Sequence, residues 1–308
     1  MADSACYTPV SEGLSMAEAA AAIVDRIDTV GVMGAGTMGS GIAHVFARAG
    51  FRVLLCDVEQ RFLDRAMGLI RANLGREAAK GKLAETEIEP ALARIALTLD
   101  REALASAGFA IEAASERFDL KAEIFRALDF VLPQSAVLAT NTSSISIARL
   151  AAETQRPAQV IGMHFFNPVP VMELVEVVRG PATSDETFAT VEALAVRLGK
   201  TPVAVNDAPG FVSNRVLMPL INEAAFAVME GVATPEAVDQ IFKLGMAHPM
   251  GPLALADLIG LDVCVDILRV LESGFGDPKY RPCPLLVRMV EAGTLGRKSG
   301  RGFYSYEK

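Results

Sequence analysis

The sequence predicts a doubly wound α/β domain followed by a helical domain, and three observations support this fold class. A glycine-rich turn joins a predicted strand to a helix near residue 34. Strand and helix patterns then alternate as far as about residue 206, and beyond it the pattern is almost entirely helical. Such alternation is typical of a parallel sheet covered by helices on both faces. At 308 residues the chain can form about two domains.

The glycine-rich turn follows a short β-prone run at 29–33 and has the spacing G-x-G-x-x-G. Gly34 permits the tight turn, Gly36 lets a pyrophosphate approach the backbone, and Gly39 allows helix and strand to pack closely. The helix N-terminus offers N–H groups to an anion. We therefore expect a Rossmann-type dinucleotide site made by Gly34, Ala35, Gly36, Thr37, Met38 and Gly39.

A second predicted strand, residues 51–56, ends at Asp57. A carboxylate at this position accepts hydrogen bonds from the hydroxyls of an adenosine ribose and repels a 2′-phosphate, so it favours NAD over NADP. The alternative is a glycine turn that binds no ligand. It is disfavoured because strand, turn, helix and acid occur in the required order.

The remaining elements follow from hydrophobic periodicity and turn residues. An amphipathic helix is predicted at 60–80, and we expect this insertion to project as a helical arm. Further strands are predicted at 95–99, 109–113, 136–140, 160–165, 174–178 and 201–205, with helices at 120–132 and 186–198. After a turn at 207–210, helices are predicted at 211–229, 235–244 and 252–271.

These elements divide the chain into an N-terminal extension at 1–26, a mostly parallel Rossmann-type domain at 27–206 and an all-α domain at 207–308. In the extension, Ser15 and Glu18 have the spacing of a capping box, which predicts a short helix rather than a secretion signal.

Composition narrows the function classes. A net charge of −8 argues against an extended nucleic-acid surface. No stretch reaches the roughly 18 apolar residues that a membrane span needs. The four cysteines lack C-x-x-C spacing and the three histidines lie far apart, so we expect no metal site and a reducing, cytoplasmic compartment.

His164 ends a predicted strand, at the sheet edge where doubly wound folds bind ligands. Imidazole, with a reference pKa near 6.5, suits the removal of a hydroxyl proton while a hydride leaves; the alternative is a structural histidine. A carboxylate on its other ring nitrogen would orient it. Glu173 and Glu176 follow on the next strand and face opposite ways, so only one can reach His164. The spacing does not say which.

Other polar residues leave two interpretations open. Asn141 and Ser143 follow a strand end and suit either a substrate hydroxyl or the cap of the next helix. For Lys80 and Lys82, one interpretation is that they bind phosphate groups, and the other is that they are solvated charges at a helix end. Asn214 lies on the first helix of the second domain, where asparagine is a mediocre helix former.

Together, these motifs resemble the NAD-dependent L-3-hydroxyacyl-CoA dehydrogenase family over about residues 27–306. The matching strings are GAGTMGSGIA from Gly34, TNTSS from Thr140, HFFNPVPVMELVEV from His164, DAPGFVSNR from Asp207, HPMGPLALADLIGLD from His248 and GRKSGRGFY from Gly296. The family's bacterial 3-hydroxybutyryl-CoA dehydrogenases are the most similar branch.

The resemblance implies that 3-hydroxyacyl-CoA is oxidised to 3-oxoacyl-CoA with NAD. It makes His164 the base and Glu176, rather than Glu173, its partner, while Ser143 contacts the 3-oxygen and Asn214 positions the acyl group. It implies further cofactor contacts by Asp57, Glu116, Lys121, Ser143, Asn167 and Lys298. It also implies that Lys80 contacts CoA and that Asn73 stands at the position of a CoA-contacting serine in relatives. For the assembly, it implies a homodimer joined through the helical domain.

Two rival functions compete with this interpretation. One is a sugar-acid dehydrogenase, such as an L-gulonate 3-dehydrogenase, which uses no CoA; the other is a catalytically silent NAD-binding protein. The segment 80–82 and the HPMGP string favour the CoA substrate over a sugar acid. The presence of both His164 and Glu176 argues against a protein without catalytic activity. The acyl chain length stays open between C4 and longer or dicarboxylic chains such as adipyl.

Overall fold

The computed structural model describes residues 15–306, which form two compact units. The first contains the described residues up to Thr142 together with Ile147–Ala204. The second contains Ser143–Ser146 and the described residues from Val205 onward. The short segment Ser143–Ser146 therefore belongs to the helical unit, although a single boundary near residue 206 had been expected.

The first unit is built on one sheet of eight strands within residues 15–306, in the order β3-β2-β1-β4-β5-β6-β7-β8. The strands are β1 (Thr29–Met33), β2 (Arg52–Cys56), β3 (Ile95–Thr98), β4 (Phe109–Glu112), β5 (Val137–Thr140), β6 (Val160–Phe165), β7 (Leu174–Arg179) and β8 (Thr201–Asn206). Strands β1 to β6 pair in parallel, whereas β7 runs antiparallel to β6. The sheet is the mostly parallel, Rossmann-type sheet that was predicted.

The strand order reverses at β1, which lies between β2 and β4. Doubly wound sheets bind ligands beyond the carboxyl ends of their strands at such a point. Every residue of β1 is buried, as expected for a parallel sheet covered on both faces. The sheet topology therefore places the predicted glycine turn at the switch point.

The helices of the first unit are α1 (Met16–Val24), α2 (Thr37–Arg48), α3 (Gln60–Ala79), α4 (Ile88–Ala93), α5 (Phe118–Val131), α6 (Ile147–Ala151) and α7 (Asp185–Arg197). The capping box of α1 is confirmed, since the Ser15 and Glu18 side chains each bind the other's backbone N–H. The predicted arm, α3, buries Leu63, Ala66 and Ile70 in the core of this unit, so it is helical but packed along one face.

The second unit contains α8 (Ser213–Met229), α9 (Pro235–Gly245), α10 (Pro252–Ile259), α11 (Leu261–Phe275) and α12 (Pro284–Glu291). The single helix predicted at 252–271 is wrong. Gly260 has φ +107°, which a right-handed helix does not allow, so the chain breaks there into α10 and α11. Helix α12 was not predicted. Within residues 15–306, no helix combines the length and apolarity that crossing a bilayer requires.

Candidate active site

The glycine turn between β1 and α2 has the geometry that each glycine was expected to provide. Gly34 has φ +106°, in the region that favours glycine. A Cβ at Gly39 would lie 1.8 Å from the Gly34 carbonyl oxygen, so only glycine fits there. A Cβ at Gly36 would have no described atom within 4 Å, so the backbone at this point is open to a ligand.

The start of α2 supplies the polar groups of this turn. No side chain of the described residues caps the helix at Gly36, so the first-turn N–H groups suit a pyrophosphate. Asp57, at the end of β2, accepts hydrogen bonds from the backbone N–H groups of Ala35 at 2.6 Å and Val58 at 2.7 Å. These contacts hold its carboxylate beside the glycine turn. The residues present therefore fit a dinucleotide.

Lys121 and Glu112 form a buried ion pair, of which only Lys121 was expected at the site. The Lys121 Nζ lies 2.8 and 2.9 Å from the two Glu112 carboxylate oxygens, and both side chains are almost inaccessible. Nζ also donates to the Ala114 carbonyl and lies 3.3 Å from a Glu116 carboxylate oxygen. Lys121, expected at the cofactor, is thus bound by protein groups that organise the chain after β4.

Glu112 itself was missed. It ends β4 and accepts hydrogen bonds from the Thr140 hydroxyl at 2.7 Å and from the Ala114 N–H at 2.6 Å. The available signal was an acidic residue closing an otherwise apolar strand, because a buried carboxylate requires partners. Glu116 is more exposed and accepts a hydrogen bond from the Thr142 hydroxyl.

His164 and Glu176 face each other across the antiparallel pair of β6 and β7. The His164 Nδ1 lies 2.8 Å from a Glu176 carboxylate oxygen, and both residues are buried. Glu173 precedes β7 and is exposed. The structure therefore brings Glu176 to the histidine and resolves the alternative that strand spacing left open.

Two asparagines lie near the end of β6, the strand that carries His164. The Asn141 side chain accepts a hydrogen bond from the Phe165 N–H at 2.9 Å, so it fixes the end of β6. Asn167 lies just beyond β6, is exposed, and precedes a cis peptide bond to Pro168. Asn141 was expected to meet a substrate or cap a helix, and this backbone contact is a third role.

In the second unit, the segment Ser143–Ser146 is held by two polar side chains. Asn214, on α8, donates from Nδ2 to the Ser143 carbonyl oxygen at 3.1 Å. The Ser146 hydroxyl donates to an Asp207 carboxylate oxygen at 2.9 Å. Asn214 and Ser143, predicted separately, are thus in contact, and Asp207 was not predicted.

The other predicted site residues lie on helix ends and exposed faces. Lys298 forms an ion pair with Asp262 at 2.6 Å in the second unit. Asn73 on α3 and Lys80 at the C-terminal cap of this helix lie two helical turns apart on the same side, and Asn73 accepts a hydrogen bond from Arg76. Among residues 15–306 there is no group of three or more side chains arranged to hold a metal ion.

A second buried polar cluster lies behind α2. His44, on α2, lies 3.4 Å from Glu77 on α3, and Arg48 bonds the same carboxylate at 3.0 Å. Burial alone would raise the pKa of Glu77, but His44 and Arg48 outweigh it and hold that pKa below its ordinary value. This histidine therefore contributes to the packing of α2 against α3.

Two family models together match most of this chain, and they meet between residues 208 and 210. The family model of the 3-hydroxyacyl-CoA dehydrogenase NAD binding domain matches residues 29–208, and that of the C-terminal domain matches residues 210–306. A Bacillus subtilis protein named "Probable 3-hydroxybutyryl-CoA dehydrogenase" is 56% identical over 92% of this chain and 99% of its own length.

Two further relatives bear on the fold and on the substrate. The crystal structure of (S)-3-hydroxybutyryl-CoA dehydrogenase from Ralstonia eutropha is 50% identical, with a TM-score of 0.89, over 92% of this chain and 100% of that chain. An Escherichia coli 3-hydroxyadipyl-CoA dehydrogenase is 44% identical over 91% of this chain and 59% of its own length.

Proposed function

Because the chain belongs to the 3-hydroxyacyl-CoA dehydrogenase family, we propose that it interconverts (S)-3-hydroxybutyryl-CoA and the 3-oxoacyl-CoA thioester with NAD. The observation that carries the chemistry is the 2.8 Å contact between His164 and Glu176. The substrate is the C4 thioester because the Bacillus and Ralstonia relatives carry that substrate in their names. A 3-hydroxyacyl-CoA of this kind belongs to fatty acid metabolism and β-oxidation.

In this mechanism His164 withdraws the proton from the 3-hydroxyl group through Nε2. Glu176, on Nδ1, holds the ring in one tautomer and stabilises the imidazolium that forms. In the reducing direction the protonated ring returns this proton to the oxygen on C3. General-base catalysis of this kind contributes about 10²–10⁴-fold.

NAD would be held by the turn from Gly34 to Gly39 and by Asp57. When bound, NAD supplies the acceptor for the hydride from C3. Asn167, Glu116, Ser143 and Lys298 are further proposed contacts. Lys121 serves the cofactor through Glu116 and Ala114, whose positions it fixes.

Ser143 is proposed to contact the 3-oxygen of the substrate, and Asn214 to position the acyl group. The bond from the Asn214 side chain to the Ser143 carbonyl supports a shared role for these residues. For the CoA moiety we propose half-buried Asn73 on α3 and exposed Lys80 at its C-terminal cap, which lie on one side of the helix.

The decisive experiment replaces His164 with alanine and compares turnover across substrates. We expect NAD-dependent oxidation of 3-hydroxybutyryl-CoA to fall by about 10²–10⁴-fold. Undiminished turnover would disprove the role of His164. Oxidation of free L-gulonate by the parent enzyme, without oxidation of CoA thioesters, would disprove the substrate class.

A dicarboxylic substrate is the second candidate, because the Escherichia coli relative is named for 3-hydroxyadipyl-CoA. Rates for the C4, C6, C8 and adipyl thioesters, measured at equal NAD concentration, decide between the two. A kcat/KM for the adipyl thioester above that for C4 would replace the first candidate with the second.

The helical unit is also proposed to join two copies of the chain. Helix α9 exposes Ile241 and Leu244, and Met246 follows them; such an apolar surface is typical of an interaction site. Leu244→Glu is expected to yield monomers in sedimentation equilibrium. For the compartment we propose the cytoplasm, where Cys56, Cys264 and Cys283 stay free thiols.

A further inference from the structure

Lys200 lies directly before β8, and its side chain reaches the loop that joins β6 to β7. The ammonium group donates to the carbonyl oxygens of Val169 at 2.6 Å and Met172 at 2.7 Å. Only 9% of the residue is exposed. Lys200 is not among the predicted site residues, and it has no role in the mechanism proposed above.

Two carbonyl groups of this loop, residues 166–173, accept backbone N–H groups. The Pro168 carbonyl accepts the N–H groups of Val171 and Met172, and the Glu173 carbonyl accepts the N–H of Thr201. The Val169 and Met172 carbonyls instead converge on one ammonium group. Val169 is buried whereas Met172 is exposed, and a buried carbonyl without a donor is costly, so it is at Val169 that the loop conformation depends on the Lys200 side chain.

The opposite side of the loop is fixed by α2, the helix that follows the glycine turn. Val169 is 2% exposed, and a Cβ at Gly41 would lie 2.8 Å from the Val169 Cβ. The absence of a side chain at Gly41 therefore lets the loop pack directly on the helix. With Lys200 on one side and α2 on the other, the loop is held at two points.

The loop conformation matters because it sets the register of the two strands that it joins. His164 is opposite Glu176 in the present register, and both neighbours of Glu176 are valines. Slippage by one residue would move the carboxylate to the other face of the sheet. A smaller shift would lengthen the contact between ring and carboxylate.

We propose that Lys200 is a positioning residue for the His164–Glu176 pair, acting by fixing the loop from 166 to 173. The inference rests on the proposed function, because it assumes that this pair performs the proton transfer. Asn167 lies in the same loop, so its proposed cofactor contact depends on Lys200 as well.

The test combines Lys200→Met with Glu176→Gln in the full-length enzyme. In the parent background we expect Lys200→Met to lower kcat by about 10- to 100-fold, the usual effect of misplacing a catalytic group. In the Glu176→Gln background the same change should lower kcat by less than about threefold, because the pair whose position it protects is already lost. Lys200→Arg, which keeps a charged donor, should recover part of kcat.

A purely structural role predicts the same fold-loss in both backgrounds, and that result would overturn the inference, as would an unchanged kcat in Lys200→Met. If Lys200→Met does not fold, Lys200→Gln, a neutral donor, takes its place in the same comparison. Lys279→Met is the matched control, since this lysine is exposed and lies in the helical unit. Full activity of His164→Ala would contradict the proposed function instead. An inactive His164→Ala beside a fully active Lys200→Met would contradict only the role of Lys200.

Discussion

Two buried acid–base pairs lie at the carboxyl edge of the same sheet, and they differ in what they can do. Glu112 and Lys121 belong to β4 and α5, whereas His164 and Glu176 belong to β6 and β7. The two pairs have the same contact distance of 2.8 Å and similar burial. Geometry alone therefore does not separate a structural pair from a catalytic one.

The two pairs differ in the reference pKa of their basic group. The reference pKa of lysine is about 10.4, roughly six units above that of glutamic acid, so a proton shared with a carboxylate stays on lysine at neutral pH. The reference pKa of imidazole is about 6.5, so a small change in its surroundings moves its proton. Lys121 also has Ala114 and Glu116 as partners. This pair therefore holds the chain in place, whereas the imidazole of the other pair suits the proposed proton transfer.

The largest expected effect is on His164 and Glu176, the pair proposed to be catalytic. Glu176→Gln keeps the size of the side chain but removes its charge, so the imidazolium is no longer stabilised. We expect kcat to fall by about 10²–10⁴-fold, while the thermal unfolding temperature stays near that of the parent. Stopped-flow measurement of NADH formation and calorimetry test this, and a large loss of stability with little loss of kcat would reverse the assignment of the two pairs.

The second effect is on the structural pair. Lys121→Met leaves Glu112 buried without its cation, so the unfolding free energy should fall by about 3–5 kcal/mol. The double variant Glu112→Gln/Lys121→Met should recover most of this loss, because no buried charge remains. Urea unfolding measures both, with Lys82→Met as the exposed control. Equal stability of the single and double variants would mean that the ion pair does not hold this region.

A third carboxylate at the same edge, Asp57, tests cofactor choice. Asp57→Ser removes the charge that repels a 2′-phosphate, so the ratio of kcat/KM for NAD to that for NADP should fall by roughly 10- to 100-fold. Steady-state kinetics with both cofactors measures this ratio. A ratio that does not change would show that the carboxylate serves only to bind Ala35 and Val58.

The smallest effect concerns Glu77, whose pKa is lowered in the folded protein. A lowered carboxyl pKa adds stability above the ordinary glutamic acid pKa of about 4.3, and this stability is lost as the pH falls through the folded-state pKa. The difference in unfolding free energy between the parent and Glu77→Gln should therefore be steady above about pH 5 and shrink towards pH 3. Exposed Glu223→Gln is the control, and a difference that grows on acidification would contradict the assignment.

Most of the sheet could be predicted from the sequence, because buried parallel strands are short apolar runs bounded by turn residues. Local signals failed where a distant contact decides the structure. Apolar periodicity continues across Gly260, and only its φ of +107° shows the break. Lys121 has the sequence appearance of a solvated helix residue, and its burial depends on Glu112.

The same limit applies to the candidate site. His164 and the glycine turn follow local rules of strand ends and helix starts, so the sequence identified both. The choice between Glu173 and Glu176 required the family resemblance or the strand register. Lys200 contacts a loop about thirty positions earlier in the chain, and no sequence motif predicts such a contact.

Helix α1 affects the order in which the elements of the first unit pack during synthesis. It precedes the family match, and its end is tied to α7 by the ion pair of Asp25 with Arg197, 172 positions away. At a translation rate of about 5–20 residues per second, the ribosome needs roughly 10 to 30 seconds to cover that distance. A helix of nine residues is marginal by itself. Helix α1 therefore docks on α7 only once α7 has left the ribosome.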